Sequence, residues 1–194
     1  PPFSRIEPAH VEPAIRQLIE RNKQRIDALL ANNESYSWDN LLQPIEDLED
    51  ELSQAWSPVS HLNSVCNSDA LREAYNACLP LLSEYGTWMG QHIQLCAAYQ
   101  QIADSAAFTA LDTAQRKSIE HALRDFRLAG VALPPDKKSQ YGELRQRLSK
   151  IDGIVDLFHA EKTNRADQHG RHHAAAGRHH HLAPNIHLEM PRST

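Results

Sequence analysis

Apolar residues recur every three or four positions along most of residues 8–158, and that spacing restricts the chain to helices that each bury one stripe. Val11, Ile15, Leu18, Ile19, Ile26, Leu29 and Leu30 form the first stripe, with Arg16, Glu20, Lys23 and Asp27 between them. The run ANNESYS breaks it. Ser37 is then placed to cap a second helix, whose stripe is Leu41, Leu42, Ile45, Leu48, Leu52 and Trp56. Pro44 falls in its first turns, where a missing N–H costs little. Ser57-Pro58 predicts either a kink in that helix or the cap of a short new one. His61 has no second ligand at helical spacing and reads as a packed or solvated helix residue.

Ser68 opens the longest expected element, a single helix over 69–103 bent at Pro80. Its stripe runs from Leu71 and Ala74 through Cys78, Leu81, Leu82, Tyr85, Trp88, Met89, Ile93 and Cys96 to Tyr99. Gly86 and Gly90, four apart on one face, would let a neighbouring helix approach closely. DTAQ, from Asp112, resembles a capping box and begins a helix through Ile119, Leu123 and Phe126 that stops at Gly130. VALPPDKK reads as a turn. A last helix takes Tyr141, Leu144, Leu148 and Ile151, and Val155 and Phe158 continue the spacing, so residues 151–158 can extend it. No alternating strand or Asn-Gly hairpin signal appears. The fold class is all-α, a bundle of long antiparallel helices.

The formal charge of −5 over 194 residues carries no basic excess that would point to nucleic acid or an anionic membrane. No apolar run approaches the ~20 residues of a membrane span. The start, PPFSRIEPAH, has neither the charged nor the apolar region of a secretory signal, and its lack of an initiator methionine suggests trimming at the front. A cytoplasmic location is expected. Cys66, Cys78 and Cys96 are too few and too odd in number for a disulfide framework and read as small buried thiols.

Beyond Glu161 there is no Phe, Tyr or Trp, and eight of the twelve histidines lie at or after His159. A segment so poor in large apolar residues cannot offset its ordering entropy, so a loose tail is expected. His169, His172, His173, His179, His180 and His181 are weak, adventitious metal candidates, since clustered imidazoles bind zinc or nickel without a fixed ligand set. No catalytic, cofactor-binding or true metal residue is assigned anywhere in the chain.

Four stretches go beyond helical periodicity. PPFSRIEPAHVEPAI, SWDNLLQPIEDLEDELSQAWSPVSHLNSV, LREAYNACLPLLSEYGTWMGQH and LDTAQRKSIEHALRDFRLAGVALPPDKKSQYGELRQRLSK closely resemble the amino-terminal region of bacterial members of the thimet oligopeptidase-like family of zinc metallopeptidases. The resemblance is nearly continuous over residues 1–150. It implies a helical wall of a channel that admits short peptides, in an enzyme whose zinc sits on a His-Glu-x-x-His helix with a further glutamate ligand. The motif glutamate would act as general base on the zinc-bound water.

That motif is absent from all 194 residues; HAEK at His159 and HLEM at His187 lack the second histidine. His10, His61, His92 and His121 stand singly, none with a histidine four residues away. After Lys150 the resemblance stops. The tail there reads as a disrupted frame or a fusion joint rather than a natural metal-binding segment. Two domains are expected: 1–150, helical and oligopeptidase-like, and 151–194, a His-rich tail outside the family. The leading expectation is an inactive amino-terminal fragment, needing no cofactor itself, whose partner is the catalytic domain of a parent enzyme. A stand-alone helical interaction module and a weak metal-binding protein are the alternatives. Neither nucleic acid nor membrane is an expected partner, and apolar stripes without cover, likeliest on 69–103, would favour self-association.

Overall fold

Helix α1, Pro8–Asn32, buries Val11, Ile15, Ile19, Ile26, Leu29 and Leu30 on one face, as the apolar spacing predicts. It is 25 residues long, about 1.5 Å per residue, and both hydrophobic clusters of the core draw on it. The computed structural model describes residues 3–66 and 68–151. Among these there is no strand, and the all-α class stands. The expected loose tail, with all six candidate histidines, lies outside the described residues.

Ser37 is the predicted cap. Its hydroxyl accepts from the Asn40 N–H at 3.2 Å, and the Asn40 side chain accepts from the Ser37 N–H at 2.8 Å. The chain then takes one π-helical turn, Trp38–Leu42, before α2, Gln43–Val65. Pro44 sits in the first turn of α2, and Pro58 lies inside it without ending it, so no new helix starts at Ser57.

Ser68 caps α3, Asp69–Gly90, by accepting from the Leu71 N–H. The expected single helix over 69–103 is two. Pro80 is passed within α3, and the break comes at Gly90, where the chain turns through Gln91 and restarts as α4, Ile93–Ala103. His92 caps α4, its Nδ1 accepting from the Leu95 N–H at 3.2 Å. Helix α5, Thr113–Leu128, opens on the expected Asp112–Gln115 capping box. It ends in a Schellman motif: Gly130 at φ +77°, the Val131 N–H on the Phe126 carbonyl and the Gly130 N–H on the Arg127 carbonyl. A final helix, α6, spans 135–151 and starts inside the stretch that reads as a turn.

Cross-helix pairs fix the directions. Asn22 reaches Leu48, Tyr85 reaches Glu49, and Trp56 stacks on Tyr75 with ring centroids 4.9 Å apart. Helix α2 therefore runs antiparallel to both α1 and α3, and those two run parallel, with Asp27 near His92. Tyr99 meets Phe126 edge to face at 5.4 Å, which sets α4 against α5. The core divides into two clusters along α1. One joins its second half to α4 and α5, the other its first half to α2 and α3, and Trp88 and Met89 pack against both.

The stripe of α6 departs from expectation. Tyr141, Gly142 and Gln146 face the body, with Gln146 Nε2 donating to Glu84 at 2.8 Å. Leu144, Leu148 and Ile151 are 62%, 47% and 55% exposed. The uncovered apolar face thus lies on α6. The expected location, within 69–103, is corrected: Leu71, Tyr75, Tyr85 and Tyr99 are all buried there, and Ile93 alone is an exposed large hydrophobe.

Candidate functional site

Polar groups inside the bundle gather where α1, α2 and α3 meet. Asn22 is completely buried although it occupies an otherwise apolar stripe. Its Nδ2 donates to the Leu48 carbonyl at 3.0 Å, and Arg21 beside it holds Glu51 through two guanidinium contacts of 2.9 and 2.7 Å. The Tyr85 hydroxyl donates to Glu49 Oε1. Burial pushes the Glu49 carboxyl above the usual carboxylate range, partly offset by that hydrogen bond. Burial and the neighbouring Glu49 both raise the Tyr85 phenol, so it stays a donor. The Arg21 guanidinium holds Glu51 below the ordinary range. This network registers three helices against one another, because each buried polar atom it satisfies would otherwise cost ~1–3 kcal/mol.

Around it lies an aromatic group at the α3–α4 break. Trp88 stacks on Tyr85 at 6.0 Å, His92 meets Trp88 edge-on at 4.9 Å, and Lys23 Nζ sits 5.8 Å from the Trp88 ring centre. His92 Nε2 lies 3.3 Å from Asp27 Oδ1. With Nδ1 occupied as a helix cap, both imidazole nitrogens of His92 are engaged in structure.

The body histidines stay apart, as their spacing predicts. His10 is on α1 beside Glu7, His61 is exposed on α2 against the Phe3 ring, His92 caps α4 and His121 is exposed on α5. Among the described residues no three of His, Cys, Asp and Glu are grouped to hold a metal ion. These residues do not fit a zinc centre. The thiols also divide. Cys78 is buried, and burial pushes its thiol up to about 11; Cys96 is half-buried; Cys66, expected to be buried, is exposed just past the end of α2.

A cavity of about 270 Å³ lies between α3, α4, α5 and α6. Gly86, Met89, Ala122, Phe126 and Ala129 line it with apolar surface, and Thr87, Tyr99, Asp125, Tyr141 and Arg145 also line it. Its tyrosines were readable only as stripe residues, because periodicity reports burial and not what a hydroxyl meets.

The sequence matches define the helical N-terminal domain of a peptidase family. The chain matches the N-terminal domain of neurolysin/thimet oligopeptidase over residues 15–138, and it belongs to that family. It is 48% identical over 151 residues to Oligopeptidase A of Escherichia coli (strain K12), and 49% identical over 152 residues to Oligopeptidase A of Haemophilus influenzae. The Probable cytosolic oligopeptidase A of Arabidopsis thaliana is 29% identical over 151 residues. Each match covers 78% of this chain, but the chain spans only about a fifth of the relatives' length, 22% for the bacterial proteins and 21% for the plant one.

Proposed function

We propose that residues 1–150 are the amino-terminal wall domain of a zinc oligopeptidase that acts on short peptides in the cytoplasm, and that this chain alone hydrolyses none. The observation that carries the reading is the extent of the match: the family's N-terminal domain, and 22% of the bacterial relatives' length. The chain has no His-Glu-x-x-His, and so supplies neither the paired ligands nor the positioned base that the family's zinc chemistry requires. Residues 151–194 form a separate, non-family segment in this reading, and its histidines are adventitious ligands.

The partner is the catalytic body of such an enzyme. The exposed Leu144, Leu148 and Ile151 stripe supports it, since a face of large aliphatic residues at helical spacing gains stability when another surface covers it.

A quenched fluorescent oligopeptide incubated with the purified chain and zinc tests the proposal. No turnover is expected. Turnover that a chelator abolishes, and that follows this chain through purification, would overturn it.

A further inference from the structure

Helix α4 is capped by a side chain that can change its charge. The Leu95 N–H, in the first turn of α4, donates to His92 Nδ1 at 3.2 Å. A ring nitrogen accepts only when it carries no proton, so the cap requires a neutral imidazole with its proton on Nε2. That Nε2–H faces Asp27 Oδ1, 3.3 Å away on α1. The His92 side chain is only 12% exposed, and its ring meets Trp88 of α3 edge-on. The charged groups around it come from α1: Asp27 on the ring itself, and Lys23, whose Nζ lies 5.8 Å from the centre of the Trp88 ring and 3.9 Å from Glu20. Among the described residues the ring has no other hydrogen-bond, ion-pair or ring contact, so α3 brings it only Trp88, and α5 brings it nothing titratable.

We propose that the joint between α3 and α4 is a proton-operated switch: protonation of His92 removes the cap of α4 while the ring keeps Asp27. An imidazolium carries a proton on each nitrogen, so Nδ1 becomes a donor facing the Leu95 N–H, which is also a donor. Nε2–H stays on the Asp27 carboxylate as an ion pair, which balances the new charge but does not restore the cap. Lys23 opposes the imidazolium, with Glu20 beside it to offset that repulsion. The turn that loses its cap has little else to hold it, since Ile93 and Gln94 are both exposed. The end of α3 is fixed, because Gln91 Nε2 donates to the Ala129 carbonyl at 3.1 Å and Gly90 packs against Ala129. Opening is therefore confined to the first turn of α4, and the fully buried Leu95 side chain limits it. Ser37, Ser68 and Asp112 cap the other helices with oxygens that accept throughout the neutral range. Only the His92 cap uses a group that ordinarily changes charge between about pH 5 and 8.

The test is a titration of the full chain from about pH 8 to about pH 5, followed by nuclear magnetic resonance of the His92 ring nitrogens and the backbone amides. At the alkaline end the ring should show a bare Nδ1 and a protonated Nε2. As the ring takes up its second proton, protection of the Leu95 amide against exchange should fall about fivefold, the usual worth of a helix cap. Protection of the Ile26 amide, inside α1, should hold over the same range. His92→Asn keeps a capping acceptor that does not titrate there, and should keep Leu95 protected at both ends of the titration. His92→Ala should leave the Leu95 amide at the lower protection throughout. A ring proton on Nδ1 at the alkaline end, a Leu95 amide indifferent to the ring's titration, or the same acid loss of protection in His92→Asn would each overturn the switch.

Discussion

Gly90 of α3 and Ala129 at the end of α5 approach so closely that a Cβ added to Gly90 would lie 2.6 Å from the Ala129 Cβ. Gly86, one turn earlier on the same helix, faces open space. The pair reads alike in sequence, yet only Gly90 serves close packing. Gly90→Ala should destabilise the chain by about 1–3 kcal/mol through overpacking. Gly86→Ala should stabilise it by roughly 0.4–1 kcal/mol through the lost freedom of the unfolded chain. Urea unfolding of both variants checks this, and equal signs would refute it.

Glu49 gives a pH signature opposite to that of a salt-bridged carboxylate. Its folded-state pKa is raised by burial, so ionisation opposes folding. Stability from this group is greatest below about 4.5, its unfolded value, and falls as pH rises through the raised one. Glu49→Gln keeps an acceptor for Tyr85 and removes the charge. It should be more stable than the parent at neutral pH, with the difference closing in acid. A Gln variant less stable at neutral pH would contradict the sign.

The three thiols should separate by access. Cys66 is exposed, Cys96 half-buried and Cys78 enclosed with its thiol pushed up to about 11. A disulfide reagent at mildly alkaline pH should modify Cys66 promptly and Cys78 only on unfolding, because the thiolate is the reacting form. Mass mapping that finds Cys78 modified as fast as Cys66 would rule this out.

Much of the fold is legible in the sequence. Ser37, Ser68, Asp112 and Gly130 mark helix ends through local chemistry, and each acts as read. What local chemistry missed is tertiary. Helix α3 ends at Gly90 because of packing against Ala129 and a histidine cap at His92, neither visible as periodicity. Asn22 sits at a stripe position and is buried because the Leu48 carbonyl receives it. The cavity at Tyr99 depends on four helices meeting, so no single stripe announces it. On α6 the Leu144 stripe is amphipathic in sequence, but Tyr141, Gly142 and Gln146 take the inner side.

That outward stripe should make the chain self-associate. Contiguous exposed apolar surface favours a second copy when its proper cover is missing. Sedimentation should show concentration-dependent association, and Leu144→Glu with Leu148→Glu should shift the chain to monomer with helix content unchanged. A parent that remains monomeric at its highest soluble concentration would contradict the prediction.

The most direct measurement exchanges domains. Residues 1–150 of this chain would replace the matching segment of Oligopeptidase A of Escherichia coli, to which the chain is 48% identical over 151 residues, and hydrolysis of a quenched fluorescent peptide would be recorded. If these residues are a family wall domain, the hybrid folds and cleaves peptide at a rate within about tenfold of the unmodified enzyme, a barrier change of ~1.4 kcal/mol. A folded, zinc-loaded hybrid that cleaves nothing would contradict the assignment.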